Sequence, residues 1–136
     1  MKDALPLELI EGAILRDNEY AWDPTAFPMV LRLAPSFGYA CLGGQFWFLL
    51  PDNSLYEPFW LEANARDRTA GESWSQYAWV SCAEVLAGFN ALITGIDFDE
   101  EAKKFGSLQS SFRVLFNAYF LTESEYSSLG LQNLKR

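Results

Sequence analysis

The 136-residue sequence contains no histidine, only ten lysines and arginines, and only two cysteines. Each shortage removes a class of chemistry. Without imidazole there is no Ser-His-Asp triad, no histidine metal ligand and no imidazole proton shuttle. Ten basic against 18 acidic residues leave a formal charge of −8 and a pI near 4.4. That balance excludes a conventional nucleic-acid surface, because phosphate binding depends on Lys and Arg releasing counterions. The same repulsion works against anionic membranes. No apolar run approaches the ~20 residues that cross a bilayer. The N-terminus places Asp3 and Glu8 where a secretory signal would need its apolar core. Cytoplasmic residence is the default expectation. Cys41 and Cys82 lie among apolar neighbours with no cation beside them, so they read as buried free thiols rather than a disulfide or a nucleophile.

What is present is apolar and aromatic. Half the residues are hydrophobic, with five Trp, six Tyr and eleven Phe, which suits a packed core in a chain of single-domain length. No repeat, low-complexity tract or linker interrupts it, so residues 1–136 read as one domain. Leu7, Ile10 and Ile14 predict a helix over 5–16, followed by a loop over 18–23. Asp23-Pro24 reads as the cap of a second helix reaching residue 34, with an alternating strand over 29–33 as the alternative. Phe46-Trp47-Phe48-Leu49-Leu50 and residues 55–63, joined by Pro51-Asp52-Asn53-Ser54, read as a β-hairpin. Gly43-Gly44 marks a bulge or turn between it and a short strand over 39–42, and Pro58 places part of the second strand at an edge or bulge.

Residues 64–73 read as a polar loop, and Trp74, Tyr77 and Ala78 fit a helical turn. Ser81-Cys82-Ala83-Glu84 matches a capping box, predicting a helix from there to Gly95. Asp97 and Glu100 repeat that logic for a shorter helix to Phe105. Phe112, Leu115, Phe116, Tyr119 and Phe120 recur at helical spacing, predicting a helix over 110–121, and Thr122 with Glu125 can cap one more turn. The expected fold is α+β: a small antiparallel sheet built around a central hairpin and packed by four or five helices.

Motifs for chemistry are scarce. There is no Gly-x-Ser-x-Gly elbow, and Gly43-Gly44-Gln45 lacks the spacing and Lys-Ser/Thr ending of a phosphate loop. Asp97-Phe98-Asp99-Glu100-Glu101 offers oxygen ligands, but Ala102-Lys103-Lys104 follows without the glycine or closing glutamate of a calcium loop. Acids in a first helical turn followed by lysines are what the helix macrodipole favours. No catalytic residue, metal or cofactor is therefore expected, and the chain reads as a non-enzyme. The alternative is a carboxylate-based hydrolase or small-ligand-binding domain using Glu57, Glu62, Asp67 and Glu72 beside the aromatic hairpin. Arg66 and Arg68, set between Glu62 and Glu72, read as local ion-pair partners.

Charge distribution says more. Residues 33–65 hold three acids and no cation, and residues 69–102 hold six acids and no cation. Every tryptophan except Trp22 falls in these windows. Aromatic anchors rimmed by carboxylates suit an interface with a basic protein, where opposite charge steers association. The expected partner-binding residues are Glu62, Asp67, Glu72 and Trp74, then Asp97, Asp99, Glu100 and Glu101. The simpler reading is that the aromatics fill the core and the acids keep the surface soluble.

An acidic, histidine-free chain of this size carrying Gly38-Tyr39-Ala40-Cys41-Leu42-Gly43-Gly44-Gln45-Phe46 resembles the immunity proteins of bacterial toxin systems, including contact-dependent growth inhibition. The resemblance implies a cytoplasmic inhibitor that binds a cognate toxin, often a basic nuclease, and blocks its active site. A structural subunit that dimerises through exposed aromatics is a further alternative.

Overall fold

A computed structural model describes residues 5–105 and 111–129. Leu7–Ile10 forms a single turn, α1, and not the helix predicted over 5–16. Gly12 adopts φ +82°, which ends the helical path. Ala13–Arg16 (β1) and Glu19–Trp22 (β2) then pair as a hairpin in which Arg16 lies opposite Glu19. The two residues between them, Asp17 and Asn18, both have positive φ (52° and 67°), the backbone a tight two-residue hairpin turn requires. The apolar spacing of 5–16 fitted both structures, and turn chemistry decided between them.

Asp23 accepts hydrogen bonds from the Thr25 amide and hydroxyl. The second helix, Phe27–Leu33 (α2), follows with Pro28 in its first turn, so the helical reading holds and the alternative strand over 29–33 does not form. Ala40–Leu49 (β3) joins the two predicted strands into one, with a register irregularity between Cys41 and Gly43. Leu55–Tyr56 (β4) completes the expected hairpin, and Glu62–Asn64 (β5) returns to the same edge of β3. Pro58, which has no amide hydrogen, lies in the break between them.

Trp74–Gly95 (α3) begins eight residues before the predicted cap. Ser73 and Gln76 form the capping box instead. Ser81 is buried inside the helix, where its hydroxyl donates to the Ala78 carbonyl and accepts the Cys41 amide at 3.1 Å, tying α3 to β3. At 22 residues with a mean hydropathy of 1.3 over its apolar window, α3 has the length and composition of a membrane span. It nevertheless buries Tyr77, Cys82, Val85 and Phe89 within the protein. Asp97 caps Phe98–Ala102 (α4) as expected, accepting the Asp99 and Glu100 amides, and a 3-10 turn follows at Lys103–Phe105.

The largest correction concerns the predicted final helix, where Arg113–Leu121 is a strand, β6. Phe116 and Phe120 are four apart, but Phe116, Ala118 and Phe120 also alternate, and Leu115 and Asn117 are buried on the opposite face. A strand apolar on both faces mimics helical spacing. Glu123–Ser128 (α5) then starts from a capping box made by Thr122 and Glu125.

The fold is α+β, with an antiparallel sheet in the order β1-β2-β6-β3-β4 and β5 beside β3. One sheet face packs on α2 and α3 through an aromatic cluster. Phe116 lies 4.7 Å from Phe27, 4.8 Å from Phe46 and 5.1 Å from Phe89, ring centre to ring centre. The other face buries Ala21, Trp47 and Leu115 with Ile14, Leu49 and Leu55 packed around them. The sheet curls over this second cluster, and Arg16 of the first hairpin donates to the Asn53 carbonyl in the turn of the second at 2.9 Å.

The central pairing tolerates no side chain at Gly44, where a Cβ would lie 2.0 Å from the Asn117 carbonyl oxygen and 2.7 Å from the Phe116 ring. Gly44→Ala is expected to lower stability by about 3 kcal/mol or more. Urea unfolding measures it, and a loss under about 0.5 kcal/mol, the range of an ordinary surface change, would contradict this packing.

Candidate functional site

The structure separates the eight expected contact residues into three places. Asp67, Glu72 and Trp74 lie on or beside the loop leading into α3. Asp97, Asp99, Glu100 and Glu101 form the start of α4. Glu62 opens β5.

The first group is occupied by its own neighbours. Glu72 receives two guanidinium hydrogen bonds from Arg66, at 3.0 and 2.6 Å, and the Thr69 amide at 3.1 Å. Only 9% of its side chain is exposed. The Arg66 hydrogen bonds lead the causes that hold its carboxyl at about 2, with the Thr69 amide next. Trp74 is half-buried, donates its indole N–H to the Gly38 carbonyl at 2.9 Å, and packs against Tyr77 and Tyr126. Arg68 lies 5.3 Å from the Trp74 ring and pairs with Glu123 at 2.9 Å. Asp67 is exposed. This cluster anchors the loop to α3 and α5, so the local pairing expected for Arg66 and Arg68 is present.

The second group borders two aromatics. Trp60 donates its indole N–H to Glu101 at 2.6 Å, and Lys104, which pairs with Glu101 at 2.9 Å, sits 5.3 Å above the Trp60 ring. Those two contacts, the indole bond first, pull the Glu101 carboxyl below its usual range. Glu101 thus positions the tryptophan rather than facing outward. Phe59 stands edge-on to Trp60 at 5.3 Å and is 69% exposed, while Trp60 itself is 39% exposed. Asp97 is spent on capping, Glu100 pairs with Lys103, and Asp99 is exposed. Over residues 97–104, four acids and two lysines leave a net negative edge beside the aromatic pair.

The tryptophans therefore divide. Trp22 and Trp47 are core residues, Trp74 is built into a loop anchor, and Trp60 and Trp79 reach the surface. The sequence reading passed over Phe59 and Trp60 as contact residues. The available signal was Pro58, which stops a ladder and leaves the next two aromatics outside it.

Glu62 occupies different ground, on the sheet face turned away from α3. It accepts from Asn64 at 2.5 Å and lies opposite Gln45, whose amide donates to Glu57 at 2.8 Å. Cys41 and Cys82 are buried, and burial pushes the Cys82 thiol up to about 12. The described residues contain no group of three or more potential metal-ligating side chains. The carboxyls that the fold perturbs, Asp23, Asp52, Glu72 and Glu101, are all pulled down, whereas a general acid needs its carboxyl raised.

No family model, no curated protein and no solved structure matches this chain.

The Glu72 network carries a pH signature. Its carboxyl sits at about 2 when folded against an ordinary 4.5, so unfolding takes up a proton between those values. The resulting stability is complete above pH 4.5 and is lost as pH falls towards 2. Glu72→Gln is expected to be less stable than the parent at pH 7, with the gap closing between pH 4.5 and 2. Urea midpoints across that range test it, and a gap that does not change with pH would contradict the assignment.

Proposed function

We propose that this chain is an acidic protein-binding inhibitor, an immunity protein of the bacterial cytoplasm that neutralises a basic toxin by covering its active site. The single observation that carries the reading is the clamped Phe59–Trp60 pair, held at the surface beside the acidic start of α4. Exposed aromatics are common, but an indole fixed from two sides by Glu101 and Lys104 has already lost the side-chain freedom that binding would otherwise take away. Such residues act as interface anchors, and Trp is among the types that dominate measured binding energy. Around them, Asp97, Asp99 and Glu100 present negative charge to a cationic surface.

The mechanism is occlusion. A nuclease cleft is lined with cations that receive phosphates, and protein carboxylates can occupy those positions without presenting a scissile bond. The aromatic pair supplies the dry centre of the contact. A specific interface buries about 800 Å² per partner, roughly a tenth of this protein's 7660 Å² surface. That area requires ground on both sides of the 57–62 segment, α4 on one side and the open sheet face on the other.

The test uses the basic C-terminal domain of the large exported protein that this reading places immediately upstream in the genome. Phe59→Ala is expected to weaken the complex at least tenfold, mainly by faster dissociation. Asp99→Asn with Glu100→Gln is expected to slow association and flatten its salt dependence. A metabolic operon upstream, or a complex whose association rate does not respond to ionic strength, would contradict the proposal.

A further inference from the structure

At the irregularity in β3, the sheet face turned away from the helices holds a cleft of about 200 Å³ lined by Gly43, Gln45, Glu62, Asn64 and Tyr119, among others. The register builds it. Gln45 lies opposite Glu62 on β5 and opposite Asn117 on β6, while Gly43 lies opposite Asn64 and Tyr119. Gly43 contributes no side chain, so the polar groups around it converge on an open floor. Bulges commonly sit beside binding sites because they redirect side chains in this way.

The donors of this cleft are directed at carboxylates. Gln45 donates to Glu57, Asn64 donates to Glu62, and the Tyr119 hydroxyl is held by Glu19, the nearest residue of the neighbouring strand. Acceptors remain: three carboxylates and the amide oxygens of Gln45 and Asn64. Beneath them Asn117, fully buried and directed to the same face, donates its amide to the Tyr20 carbonyl at 2.8 Å, while its Oδ1 has no hydrogen-bond partner. Trp47 Nε1, also without a partner, belongs to the apolar cluster with Ala21 and Leu115 and does not line the cleft. Among the described residues no ion pair reaches Glu19, Glu57 or Glu62. Arg16 lies opposite Glu19 in register, but its guanidinium is directed to Asn53.

A pocket offering acceptors and negative charge selects a ligand that is all donors and positively charged. We propose that this cleft receives a guanidinium group, presented by an arginine side chain of a protein partner. Guanidinium brings five N–H donors in a fixed plane and can serve several carboxylates together, whereas an ammonium is a compact point charge. The cleft opens on the same 57–62 segment that carries Phe59 and Trp60, so arginine entry here and aromatic contact there fit one partner. The source of the arginine rests on the basic-partner reading; the chemistry of the cleft does not.

The test is an NMR titration of the full chain with N-acetyl-arginine methylamide, N-acetyl-lysine methylamide and agmatine, following the side-chain amides of Gln45, Asn64 and Asn117. The arginine derivative is expected to saturate in the millimolar range, at least fivefold tighter than the lysine derivative. Glu57→Gln with Glu62→Gln, both exposed positions that leave the thermal midpoint in place, is expected to weaken it at least tenfold. Equal binding of arginine and lysine, no saturation, or an unaffected double variant would overturn the proposal. Agmatine binding ten times tighter than the arginine derivative would overturn the protein source in favour of a free amine. If the cleft variant leaves partner affinity unchanged while Phe59→Ala lowers it, the cleft proposal fails and the inhibitor reading survives. If the cleft binds arginine but no basic partner exists, the reverse holds.

Discussion

The pairing of β3 with β6 is the constraint on which the rest of the structure depends. It brings residues 40–49 against residues 113–121 across most of the chain, at a separation that leaves room only for glycine at position 44. On one side of that pair, Phe46, Phe48, Phe116 and Phe120 form the floor on which α2 and α3 settle. On the other side, the same two strands present Gln45, Asn117 and Tyr119 together with the buried Trp47 and Leu115. A single ladder thus separates an aromatic core from a polar face. It also fixes the edge from which β4, the 57–61 excursion and β5 are hung.

Negative charge is used in two different ways. Some carboxylates are committed to the fold: Glu72 is enclosed by Arg66 and the Thr69 amide, Asp97 caps α4, and Glu101 steadies Trp60. Others, such as Asp99, Glu57 and Glu62, are exposed with no cation among the described residues paired to them. Exposed ion pairs add little stability in any case, so the functional weight of the −8 charge lies with the uncommitted group. That division narrows the acidic surface to the 57–62 segment, α4 and the adjoining sheet face.

The legible parts of the fold were those where one local signal acted alone. The hairpin after Phe48, the cap at Asp97 and the Thr122–Glu125 box all formed as read. The helices expected over 5–16 and 110–121 failed for a common reason. Residues spaced three and four apart also satisfy a strand that buries both faces, and only Gly12, Asp17 and Asn18 or the partner strand β3 could decide. Ser81 misled similarly, because a buried serine bonding a neighbouring strand has the same local sequence as a cap. For the surface, α4 was visible from its acids, but Phe59 and Trp60 required knowing that the strand breaks at Pro58. The cleft at Gly43 was invisible, since Glu19, Gln45, Glu62 and Tyr119 meet only through four strands in register.

The central claim is that one edge of this sheet, aromatic at 59–60 and anionic on either side, is where a cation-rich protein is gripped. Amide chemical-shift mapping of the full chain against the basic domain encoded upstream addresses it most directly. Perturbations concentrated at residues 57–64, 97–101 and 119 are expected. Shifts confined to the exposed side of α3 around Trp79, with the 57–64 amides unmoved, would contradict it.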